Sequence, residues 1–245
     1  MTYAIQWVRS LVFIIQMYLA ILVWGIVFAI PALISRRYAF LCCRSYCWYI
    51  KWTAGWMIGL RCEVRGTPPQ DEVLIAAKHQ SFLDVLMIYG DIPAGRFIMK
   101  DILKFAPVVG QMGLRVGCIP VKRGKRGAAI KKMLADVAEG RLNPGQLIIY
   151  SQGTRIAPGV KAPYKIGTGA LYRELGQDCV PVAANVGVFW PKRGIYRAPG
   201  VAVVEFLPRI PAGLDLAEFM KRLETDVETK SDALMREAGF TAFEA

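Results

Sequence analysis

The stretch Val73-Leu74-Ile75-Ala76-Ala77-Lys78-His79-Gln80-Ser81-Phe82-Leu83-Asp84 holds the one histidine of the chain between two kinds of apolar pattern. Val73–Ala77 reads as a short apolar strand, and Phe82–Tyr89 reads as a helix. Working outward, Arg96–Met99, Cys118–Val121, Leu147–Tyr150, Val180–Ala184 and Val201–Leu207 read as further strands. Gly127–Glu139, Thr168–Leu175 and Leu216–Met235 read as helices, the last with Leu216, Met220, Leu223 and Val227 on one face. Short apolar strands alternating with helices predict an α/β domain, a mixed sheet flanked by helices.

The chain has 245 residues and a formal net charge of +12, with 54% hydrophobic residues. That apolar content excludes a disordered chain. Six cysteines are too few for a disulfide scaffold, and no CxxC pair occurs, so buried free thiols are expected. A single histidine excludes multi-histidine metal sites, and no metal site is expected. G-x-S-x-G, P-loop and H-E-x-x-H motifs are absent. So are zinc-finger spacing and the aromatic motif of RNA-binding domains, which argues against a nucleic-acid partner.

The apolar excess sits at the front. Residues 1–60 contain no Asp or Glu and carry five of the six Trp. Leu11–Ile34 is a 24-residue run whose only strongly polar side chain is Gln16. A helix of that length reaches roughly 36 Å, enough to cross a hydrocarbon core of about 30 Å. Ser35-Arg36-Arg37 follows it, not a small-x-small cleavage site. Residues 38–60 read as a second helix, with Trp48, Trp52 and Trp56 in one stripe that suits the headgroup level. Residues 1–60 are therefore expected to be a membrane anchor, either one spanning helix or a two-helix hairpin entering one leaflet. Residues 61–245 are expected to be the α/β domain, with a residual charge of +7 that suits anionic lipid headgroups. Arg36, Arg37, Arg44 and Lys51 follow the run while Arg9 precedes it, which puts the following side in the cytoplasm. In a bacterium the anchor would lie in the inner, cytoplasmic membrane.

His79 and Asp84 cannot meet on a continuous helix, where five residues turn by about 140°. They can meet across a strand-to-helix turn. Ser81 is expected as the N-cap and Asp84 as the third helical residue, in the Ser-x-x-Asp pattern. The carboxylate would then fix one ring nitrogen and leave the other as a base. The alternatives are a carboxylate that only caps the helix and a histidine that only packs.

His79, four residues, then Asp84 after a strand resembles the lysophosphatidic acid acyltransferase family, a branch of the glycerolipid acyltransferases. Lys100-Asp101-Ile102-Leu103 with Pro107 and Gly110 resembles the family's Lys-x-x-Leu…Pro…Gly segment. Cys118-Ile119-Pro120-Val121-Lys122-Arg123 resembles an aliphatic run ending in Asp-Arg. Tyr150-Ser151-Gln152-Gly153-Thr154-Arg155 resembles Phe-Pro-Glu-Gly-Thr-Arg, and Val180-Pro181-Val182 matches a Val-Pro-Val-type strand. The departures are Lys78 for the Asn often found there, Lys122 for Asp, and Ser151-Gln152 for Pro-Glu.

The resemblance implies transfer of a fatty acyl chain from acyl-CoA or acyl carrier protein to the sn-2 hydroxyl of lysophosphatidic acid, without a further cofactor. It implies His79 as general base oriented by Asp84. Arg123 and Arg155 become the first choices for the acceptor phosphate, then Lys100 and Lys122, with Gln152, Gly153 and Thr154 lining the site. Another lysophospholipid acceptor, or a silent membrane-anchored lipid-binding protein, are the rival readings.

Overall fold

The computed structural model describes residues 2–122, 131, 133–138 and 145–243. Its strands are β1 (Leu60–Arg65), β2 (Leu74–Ala77), β3 (Arg96–Lys100), β4 (Ile119–Val121), β5 (Leu147–Tyr150), β6 (Cys179–Ala184) and β7 (Gly200–Phe206). They form one mixed sheet in the order β1-β7-β6-β2-β5-β3-β4. Among the described strands only the β6–β7 pair is antiparallel. The helices are α1 (Tyr3–Ile34), α2 (Arg36–Ile58), α3 (Leu83–Asp91), α4 (Val109–Val116), α5 (Ile166–Leu175) and α6 (Leu216–Glu237). Of the helix expected over Gly127–Glu139, residues 133–138 are described and helical; the rest lies largely outside the described residues.

Strand alternation divides the core. Val73, Ile75 and Ala77 pack with apolar residues of α1, α2 and α3, including Phe13, Ile50 and Leu83. Leu74 and Ala76 point the other way, into a second core with Leu171 and Tyr172 of α5 and Phe219, Leu223 and Val227 of α6. The buried seam of α6 includes Leu223 and Val227 as the pattern predicts, with Leu216 and Met220 partly buried; the pattern left out Phe219, which is fully buried and stacks on the Tyr172 ring at 3.7 Å. Asp215 caps this helix by accepting from the Ala217 N–H at 2.9 Å.

Helices α1 and α2 form an antiparallel hairpin turned at Ser35, whose hydroxyl accepts from the Arg37 N–H. The buried face of α1 is Gln6, Ser10, Phe13, Met17 and Ala20, at three- and four-residue spacing. Gln16, the one polar residue of the apolar run, accepts from the Tyr49 hydroxyl at 2.9 Å and donates to Thr53 at 3.2 Å. At the other end of the run, Ile26, Ile30, Leu33 and Ile34 are each 70% or more exposed. Among the described residues α1 alone has the length and composition to cross a membrane. The rings of Trp48, Trp52 and Trp56 are also exposed, so they form a surface stripe and do not pack into the core.

The hairpin is welded to the domain. Gln6 donates to the carbonyls of Ile58 and Arg197, and Arg115 of α4 donates to the Ala32 and Leu33 carbonyls at the end of α1. Val108 has φ 63° and ψ −57°, and the Val109 N–H donates to the Pro107 carbonyl at 2.7 Å. This is a strained three-residue turn. It is held by the seat of Val108 against Gly25 of α1, where even a Cβ would come within 2.4 Å of a valine methyl.

Sequence reading missed β1, an edge strand interrupted by Arg61, Glu63 and Arg65, because it shows little apolar signal. It also missed α4 and the 3-10 turn Asp101–Phe105 before it.

Candidate active site

Strands β2, β5, β3 and β4 are adjacent and parallel, so their C-terminal ends lie along one edge. Of the sequence-predicted residues that are described, His79 follows β2, residues 152–155 follow β5, Lys100 closes β3 and Lys122 follows β4, while Asp84 lies in the first turn of α3. Ligands of open α/β sheets gather along this edge. Three strand spacings of about 4.8 Å separate β2 from β4, roughly 14 Å in all.

His79 and Asp84 meet. The imidazole Nδ1 lies 2.8 Å from Asp84 Oδ1. Oδ2 accepts from the Gln80 and Ser81 N–H groups, each at 2.8 Å, and the carboxyl is fully buried. A buried carboxylate requires such partners. With three of them Asp84 is fixed, and it fixes the ring. The helix start differs by a residue from the expected pattern. Helix α3 begins at Leu83 with Phe82 at the cap position, so Asp84 is its second residue. The Ser81 hydroxyl accepts from the Leu83 N–H at 3.2 Å while Asp84 takes the Ser81 N–H. The reciprocal pairing expected of a capping box is present in a tighter turn, because the carboxylate also draws in Gln80.

The imidazole continues the alternation of β2 and falls on the face shared by α1, α2 and α3. It lies on the Tyr150 ring, with centroids 3.9 Å apart and planes 18° apart. Phe97 stacks on the far side of Tyr150 at 5.9 Å, and Tyr89 on Phe97 at 5.8 Å. Burial first, and the Asp84 charge second, push the Tyr150 phenol well above its ordinary range. Sequence reasoning missed Tyr150 as a site residue, although it opens the fourth motif block.

The turn after β5 is tied to the histidine loop: the Ile156 N–H donates to the His79 carbonyl at 2.8 Å. Gly153 has φ 70°, which a Gly adopts without strain, and its N–H is taken by the Tyr150 carbonyl. Thr154 is exposed. The Arg155 guanidinium reaches the Lys192 carbonyl at 3.5 Å. Lys100 and Lys122 are exposed on the same sheet edge, and Arg123 lies outside the described residues. Backbone N–H groups at this helix start and in the turn are candidate donors for a bound anion. Those of Gln80, Ser81, Leu83 and Gly153 are all engaged within the protein.

Gln152 points away from the imidazole. Its amide donates to the Ala162 carbonyl at 3.2 Å and to Glu228 of α6 at 3.4 Å. Lys78 also faces α6, where it pairs with Glu228. A cavity of about 700 Å³ opens on that side, lined in part by Lys78, Lys161, Glu228, Asp232 and Arg236 and not by His79. The candidate reacting group and this polar cavity therefore lie on opposite faces of β2.

A fixed His-Asp pair beside a sheet edge that carries Lys100, Lys122 and Arg155 is an arrangement suited to taking a proton from a group bound there. The sequence profile of the acyltransferase family matches residues 61–185, which contain all of it. The chain belongs to that family and is an acyltransferase. It is 28% identical over 213 residues to the 1-acyl-sn-glycerol-3-phosphate acyltransferase of Pseudomonas aeruginosa, covering 85% of this chain and 82% of that one. It is 30% identical to human 1-acyl-sn-glycerol-3-phosphate acyltransferase alpha over 64% of this chain and 57% of that protein. The crystal structure of the 1-acyl-sn-glycerophosphate acyltransferase PlsC from Thermotoga maritima superposes with a TM-score of 0.76. It covers 94% of this chain and 97% of its own, at 17% identity, and so shares the fold.

Proposed function

We propose that the protein transfers a fatty acyl chain from a thioester, acyl-CoA or acyl carrier protein, to the sn-2 hydroxyl of lysophosphatidic acid, giving phosphatidic acid. The observation that carries this reading is the 2.8 Å contact between His79 Nδ1 and Asp84, which leaves Nε2 as the basic nitrogen. Nε2 takes the hydroxyl proton as the oxygen attacks the thioester carbonyl. The tetrahedral intermediate collapses with cleavage of the C–S bond, and the imidazolium returns its proton to the departing thiolate. A positioned base of this kind contributes about 10²–10⁴ in rate. Arg155, Lys100, Lys122 and Arg123 supply the positive charge for the acceptor phosphate, with guanidinium groups suited to bidentate contact.

The exposed apolar end of α1 and the Trp stripe of α2 support a membrane-embedded hairpin. Because the imidazole lies on the hairpin's face of the sheet, the site would open towards the bilayer, where both acyl-bearing substrates partition. The cytoplasmic side is the orientation favoured by the basic residues after the apolar run.

Incubating the purified protein with lysophosphatidic acid and each donor in turn, with mass spectrometry of the products, tests the reading and identifies the donor. Phosphatidic acid is the expected product. Acylation of a different lysophospholipid in preference to lysophosphatidic acid would transfer the chemistry to another acceptor.

A further inference from the structure

On the opposite face of β2 from the imidazole, one carboxylate ties three segments together. Glu228 Oε2 pairs with the Lys78 ammonium, whose side chain is 2% exposed. Oε1 accepts from the Tyr164 hydroxyl at 2.9 Å and from the Gln152 amide at 3.4 Å. Lys78 is the residue before His79. Gln152 lies in the turn whose Ile156 N–H holds the His79 carbonyl, and Tyr164 precedes α5. The side-chain amide oxygen of Gln152 is buried with no hydrogen-bond partner among the described residues. Glu228 itself lies outside the residues 61–185 that the family profile matches, so no motif points to it.

A buried ammonium is stable beside one fully paired anion. With no carboxylate it is left unpaired, and with two, one of them must go unpaired or take a proton. Gln152 and Glu228 touch, so an acid can be moved from one to the other without changing the atoms or the net charge of the pair.

We propose that Glu228 is a positioning residue for the acyl transfer: one negative charge beside Lys78 sets both the His79 peptide and the 151–155 turn, and either Glu228 or residue 152 can carry that charge. The proposal rests on His79 acting as the base. Its test is a charge exchange. Glu228→Gln and Gln152→Glu are each expected to lower kcat by about tenfold or more, with KM for lysophosphatidic acid within about threefold. The double variant Q152E/E228Q is expected to return to within about threefold of the unaltered protein. The double variant keeps one carboxylate in the Gln152–Glu228 pair and serves as the folded reference if Glu228→Gln alone unfolds.

A second readout needs no turnover. At fixed pH the ring signals in a ¹H–¹⁵N spectrum come from one imidazole, that of His79. They are expected to shift in each single variant and to return in the double. A double variant whose ring signals stay displaced, or single variants with unaltered ring signals, overturns the proposal. Ring signals that follow the exchange in a protein with no turnover on any donor support the coupling and refute the acyl-transfer reading instead.

Discussion

The His79 imidazole lies flat on the phenol ring of Tyr150, centroids 3.9 Å apart and planes inclined by 18°. Asp84 fixes one edge of the imidazole and Tyr150 supports its face, so the ring has little freedom to rotate off line. A stacked aromatic pair is worth about 0.5–1.5 kcal/mol beyond its buried area. The ring, not the hydroxyl, supplies the support. Tyr150→Phe is expected to keep kcat within about threefold, and Tyr150→Ala to lower it by about tenfold. Steady-state rates of the two variants check this, and equal losses in both would assign the role to the hydroxyl.

Asp84 accepts from the imidazole and from two consecutive backbone N–H groups while fully buried. An amide in its place offers one acceptor oxygen for three donors. Asp84→Asn is expected to lower kcat by roughly 10³-fold and to reduce unfolding stability by about 1–3 kcal/mol. Kinetics and denaturant titration of the same preparation read both effects. A kcat near that of the unaltered protein would leave Asp84 a helix-start residue only.

Trp48, Trp52 and Trp56 are 64%, 54% and 60% exposed along one side of α2. A membrane interface is the environment in which such a stripe is stable. Replacing all three by Ser is expected to weaken sedimentation with anionic phospholipid vesicles by about tenfold or more while the fold persists. Undiminished vesicle binding would leave α1 as the sufficient anchor.

Burial pushes the Cys118 thiol up to about 11, with the Phe97 N–H and the nearby Arg96 and Arg36 opposing the shift. In the unfolded chain the thiol titrates near about 8.5. The folded value is the higher one, so this group's contribution to stability is full below pH about 8.5 and is lost as pH rises towards 11. Iodoacetamide at pH 8 is expected to spare Cys118 in the folded protein and to modify it in denaturant, as read by peptide mass spectrometry. Rapid modification of the folded protein would contradict its burial.

The strands beside the site were legible because parallel, doubly covered strands are short apolar runs, as Val73–Ala77 and Leu147–Tyr150 show. The His-Asp contact was legible because only a strand-to-helix turn lets that spacing close. Local pattern could not give β1, whose charged residues sit at a sheet edge, nor α4, whose start at Val108 depends on the seat against Gly25 more than 80 residues away. Tyr150 and Glu228 were invisible for the same reason. One touches His79 from a neighbouring strand, and the other touches Lys78 from a helix 150 residues further on.

If the His79 imidazole removes the acceptor's proton, its loss stops transfer without unfolding the protein. The direct measurement is the initial rate of phosphatidic acid formation by the unaltered protein and by His79→Ala, with the thermal midpoint of each recorded alongside. A loss of about 10³-fold or more at an unchanged midpoint is the predicted result. Turnover within a few-fold of the unaltered enzyme would contradict the account.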